Sequence, residues 1–167
     1  MNMTHYMELL ATNQPWNLII FMAIPVVLAE TVAITELYML FTRQFDGRVR
    51  TLNRLAGITS GVVFIGIIAY LTHTAVVPIT IAGEWRTLVD VVAVNGYLLS
   101  GVPMVLVALL DLGLIHKKET DQRKLGWHAA YISAFLILAH VAMIAGMMNP
   151  GLFDSTLAGH AAHPIEM

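Results

Sequence analysis

The feature that most constrains this chain is a fourfold alternation of long apolar stretches with short polar connections. A hydrocarbon layer about 30 Å thick is crossed by about 20 helical residues. Four segments are long enough: about 15–42, 55–77, 85–115 and 125–148. Each is too long and too continuously apolar for a barrel strand, and in lipid only helices and closed barrels satisfy their backbone polar groups. Composition agrees, because 12% of the residues are charged and 57% are apolar, about half the charge of a soluble domain. The expected fold is an all-α integral membrane protein, an up-down bundle of four transmembrane helices. Residues 1–167 are expected to form one domain, with 149–167 an outward C-terminal tail that is loosely ordered over 151–167.

Local signals refine these spans. Asn13 or Gln14 offers a cap for the first, and Pro15 suits its first turn. The second is expected to end before Pro78 and the fourth at Asn149-Pro150-Gly151. Pro25 and Pro103 lie inside spans one and three and are expected to kink them. Gly57 and Gly61 form a GxxxG pair and, with Gly96 and Gly101, favour close helix packing. Residues 4–11 read as a short interfacial helix, and Trp16, Trp85 and Trp127 as interface anchors. The N-terminus has no basic leader region and its apolar run is too long for a cleaved signal, so the first span is expected to be retained.

Orientation follows from the basic residues. Arg43, Arg48, Arg50 and Arg54 follow the first span, and Lys117, Lys118, Arg123 and Lys124 follow the third. Eight of the nine Lys and Arg residues therefore gather on one face, with Arg86 on the other. The expected setting is a bacterial inner (plasma) membrane, with both termini on the non-cytoplasmic side. A net charge of −2 gives no basic surface for nucleic acid. The absence of cysteine excludes disulfides, thiolate metal sites and iron–sulfur clusters. No nucleotide-binding glycine loop, HExxH spacing or nucleophile elbow occurs, so independent enzymatic activity has no support in the sequence.

Polar residues inside spans are costly, and each is a functional candidate. They are Glu30 and Glu36 on span one, His73 on span two, Asp90, Asn95 and Asp111 on span three, and His128 and His140 on span four. At about 1.5 Å per residue from the basic ends, His73 stands about 27 Å up and His140 about 24 Å up. Two histidines level on facing helices could ligate a haem iron from both sides. Gly66 and Ser133, seven residues before them, would leave room for a flat macrocycle. The bland alternative is that each imidazole bonds a carbonyl or hydroxyl, for which Thr72, Thr74 and Ser100 could serve. Glu30, near mid-membrane, offers a proton carrier, a cation ligand or a partner for a histidine. Nearer the basic face, a Glu36–His128 contact is expected, with Arg43 or Arg54 neutralising Asp111. Asp90 and Arg86, four residues apart, read as a surface ion pair.

A second pattern points to copper. The N-terminus carries Met1, Met3, His5 and Met7, and the tail His160, His163 and Met167. On span four, His140, Met143 and Met147 share a face with Met148 beside them. Thioether and imidazole suit Cu(I), although methionine also fills gaps in ordinary cores.

In plan the chain resembles small membrane cytochromes of the b type, four-helix bundles with histidine-ligated haem. Through Glu30 it also resembles small multidrug and proton-coupled carriers, which use a single first-helix glutamate. The leading expectation is a membrane redox or metal-binding protein, with haem b between His73 and His140 and a role in electron transfer. The alternatives are a copper or small-cation transport or delivery protein, with His73, His140, Met143 and Met147 as metal ligands, and a non-catalytic accessory subunit. Expected partners are membrane lipid and either a larger membrane complex or further copies of the chain.

Overall fold

The computed structural model describes residues 3–149, the side chain of Asp121 excepted. Met1, His160, His163, Met167 and most of the expected tail lie outside that range. Five helical elements follow in order: α1 (His5–Ala11), α2 (Trp16–Thr42), α3 (Arg48–Ala82), α4 (Leu88–Asp111) and α5 (Asp121–Met147). The last four are long and apolar enough to cross a membrane. Each packs on the next, and α2 returns to touch α5, which gives the ring of an up-down bundle. The α2–α5 edge is the weakest contact of that ring.

Close approach explains why α4 sits so firmly between its neighbours. A β-carbon at Gly61 would collide with Ala108, and one at Gly57 with the Asp111 carboxylate. The GxxxG pair therefore lets α3 lie against α4 with no side chain between. Gly101 receives the Phe64 ring in the same seam. Side chains such as Ile34, Phe41, Ile65, Leu99 and Ile137 point outward and form the apolar exterior that lipid requires.

Two prolines are absorbed by local rewinding. Residues Ile19–Ala23 and Thr72–Val76 are π-helical turns, directly ahead of Pro25 and Pro78. In each, the residue before the proline donates five residues back, from Ile24 to Ile19 and from Val77 to Thr72. A proline ring clashes with the carbonyl four residues earlier and leaves it without a donor. The wider turn relieves that clash, so α3 does not end before Pro78 but runs to Ala82. At Pro25 the freed carbonyl belongs to Phe21, and the buried Tyr97 hydroxyl donates to it at 2.5 Å.

Other boundaries differ modestly. α2 starts at Trp16 with no side-chain cap. Instead the carbonyl of Asn13, itself in the left-handed region at φ 51°, accepts from Trp16 at 3.0 Å. α3 begins at Arg48, seven residues before the expected 55, and α4 is shorter than 85–115 at both ends.

Candidate functional site

The end of the bundle that carries α1 is closed by that helix. Thr4 caps it, accepting from Met7 N–H at 3.3 Å while its hydroxyl donates to the Gly146 carbonyl on α5 at 2.8 Å. Tyr6 lies where a β-carbon at Gly146 would be, and its ring tilts against Tyr97 at 5.4 Å. Burial pushes the Tyr6 phenol pKa up. Asp90 completes the clamp: its carboxylate accepts the His5 backbone N–H at 2.6 Å and pairs with His5 Nδ1 at 2.5 Å. Asp90 is fully buried, so the expected surface pair with Arg86 is corrected. The Arg86 guanidinium reaches Glu8 at 2.5 Å and the Met3 carbonyl instead. Asp90 occupies the first turn of α4, where the helix dipole favours an anion.

Beneath α1 lies a cavity of about 170 Å³ lined by Met3, just ahead of α1, Met7 from α1, Met22 from α2, and Met143 and Met147 from α5. Met143 and Met147 are four residues apart on α5, so they share a face. The chamber adjoins a cleft of about 260 Å³ between α2 and α5, with Tyr6, Met22 and Met143 common to both. Glu30 and His140 line the cleft. His140 Nδ1 lies 2.6 Å from the Leu136 carbonyl. A carbonyl only accepts, so Nδ1 carries a hydrogen and Nε2 is the ring atom left for another partner.

At the basic-loop end a second polar centre draws on α2, α4 and α5. His128 places Nδ1 2.7 Å from Glu36 Oε2 and Nε2 3.2 Å from Asp111 Oδ2. All three residues are buried. Behind them on α3, Asn53 donates to Thr35 Oγ1 at 2.9 Å and to the Val32 carbonyl at 3.1 Å.

The sequence model of a family described as "Family of unknown function (DUF6803)" matches residues 1–162. The chain belongs to that family. No curated protein and no solved structure matches it.

In this DUF6803 chain the residues singled out from sequence fall into three groups. Met143, Met147, Glu30 and His140 line the connected chamber and cleft, together with Met3 and Met7. Glu36 and His128 meet as expected, but Asp111 joins the same histidine, while Arg43 and Arg54 are exposed. His73 and Asn95 face outward. Asn95 donates to the Val91 carbonyl of its own helix, and among the described residues His73 has no hydrogen-bond partner. His140 lines the cleft and His73 does not, although α3 and α5 meet across the core through Phe64 and Phe135 at 5.4 Å. Gly66 and Ser133 do share the faces of those histidines, but both are exposed. Asn53 was invisible as a span residue, because the arginine-rich start of α3 reads as loop, while Ser60 lay inside the expected span but carries no charge to single it out.

Proposed function

We propose that this protein binds Cu(I) beneath α1 and passes it toward the membrane interior, as a copper uptake or delivery protein. The observation that carries this reading is the convergence on one cavity of five methionines, four from three helices and Met3 from just ahead of α1. Thioethers select Cu(I) over harder ions, and methionine swings easily between ligand geometries. The cleft continues the route inward to Glu30 and to His140, whose Nε2 is left available by its bond to Leu136. A soft entry leading to mixed imidazole and carboxylate donors suits an ion that must be caught and then released. The haem b reading has less support, since His140 lines the cleft and His73 does not.

The proposed orientation puts α1 on the non-cytoplasmic side of an inner membrane, with the basic loops in the cytoplasm. Purified protein in lipid, kept reduced, is titrated with Cu(I) against a chromogenic Cu(I) chelator. One ion per chain is expected to be withdrawn from the chelator. Paired Met143→Leu and Met147→Leu substitutions, which conserve volume, are expected to weaken binding at least about tenfold, or about 1.4 kcal/mol. Failure of the wild-type chain to compete, or equal affinity in the leucine variants, would overturn the proposal.

A further inference from the structure

The buried centre at the basic-loop end has its own chemistry, independent of copper. Both imidazole nitrogens of His128 face carboxylate oxygens, at 2.7 and 3.2 Å. Each such contact needs a proton between the two heavy atoms, because two lone pairs at that distance repel. The centre therefore holds at least two protons, in effect an imidazolium between two carboxylates. Its net charge is then −1, in a place where uncompensated charge is expensive.

Glu36 Oε1 and Asp111 Oδ1 are buried and have no hydrogen-bond partner. Asn53 Oδ1 and Ser60 Oγ are likewise buried and unpartnered on α3, the helix whose Gly57 abuts Asp111. Free acceptors around a residual negative charge mark a place for one more positive charge. Among the described residues no group of His, Asp and Glu is arranged to hold a metal ion, and both imidazole nitrogens are already used. We infer that Glu36, His128 and Asp111 form a proton-binding site that exchanges a third proton. Uptake places that proton from water on Glu36 Oε1 or Asp111 Oδ1, converts a carboxylate to a carboxylic acid, and takes the centre from −1 to neutral. The groups facing His128 are Glu36 from α2 and Asp111 from α4, while α3 brings Gly57 against Asp111 and the uncharged Asn53 against Thr35 and Val32. Lys124 stands one turn earlier on α5, toward the basic loop.

The test is pH-difference infrared spectroscopy of the full chain in lipid, with carbon-13 in the side-chain carboxyls of Asp or of Glu. A carboxylic C=O band is expected to appear as pH falls, to shift with one of the two labels, and to vanish in Glu36→Gln or Asp111→Asn. Glu30→Gln is expected to leave it in place. Nitrogen-15 spectra of wild-type His128 are expected to keep both ring nitrogens protonated on either side of the transition, a readout that needs no variant to fold. No titrating carboxyl band in the wild type, a band surviving both substitutions, or a His128 ring with one bare nitrogen would overturn the inference.

Discussion

The Phe21 carbonyl shows how one residue's chemistry is completed by another far along the chain. Pro25 cannot donate to it, the π-helical turn rewinds the backbone around it, and Tyr97 supplies the missing donor from α4. Tyr97→Phe is expected to destabilise the protein by about 1 kcal/mol, the usual scale for a hydrogen bond lost inside a membrane bundle. The informative variant is Pro25→Ala, which restores an N–H able to reach that carbonyl. In its background Tyr97→Phe is expected to cost less, and thermal unfolding of the four species gives the coupling directly. Full additivity would mean that the hydroxyl is not compensating for the proline. The sequence announces Pro25, but not this remedy, because the partner lies on another helix and carries no local pattern.

At the scale of elements, α1 is the decisive piece, because it brings Met3 and Met7 onto the bundle. A seven-residue helix has no independent stability. Its position rests on Thr4, Tyr6 and the His5–Asp90 clamp. Asp90→Ala removes the acceptor for both His5 contacts and is expected to release α1. Amide exchange at residues 5–11 should then rise, and Cu(I) affinity should fall as far as in Met3→Leu/Met7→Leu. Unchanged exchange would show that Thr4 and Tyr6 suffice. A second prediction comes from the raised pKa of Tyr6. A pKa higher in the docked state means that docking is fully supported below the free phenol value of 10.0 and weakens as pH rises through the docked value. Alkaline pH is thus expected to loosen α1, with a smaller loss in Tyr6→Phe. Residues 4–11 were readable as a helix from their sequence. Their docking was not, since the Gly146 site that accepts Tyr6 lies about 140 residues away in the chain.

For the molecule as a whole, hydropathy was enough to read four spans and their ring order, because length, apolar composition and short loops leave few alternatives. It could not say which face of each span turns inward, since lipid and core are equally apolar. That is why His73 read as a ligand and lies outside, and why Asp111 read as a partner for arginine and bonds His128. Orientation is a different matter, argued from charge and open to direct test. Carrying a basic side chain against a membrane potential costs about 2.3 kcal/mol per 100 mV, and eight of nine basic residues cluster at one end of the bundle, in two loops and the first turns of the helices that follow them. The chain has no cysteine, so single introduced cysteines report sidedness without background. Thr12→Cys, beside α1, is expected to react with a membrane-impermeant maleimide in intact cells. Lys118→Cys, in the second basic loop, is expected to react only after permeabilisation. The reverse pattern would put the methionine chamber on the cytoplasmic side and the Glu36–His128–Asp111 centre toward the exterior. Copper affinity would be untouched by that result, but uptake would no longer be its purpose, and the route from Met3 to His140 would have to serve loading from within.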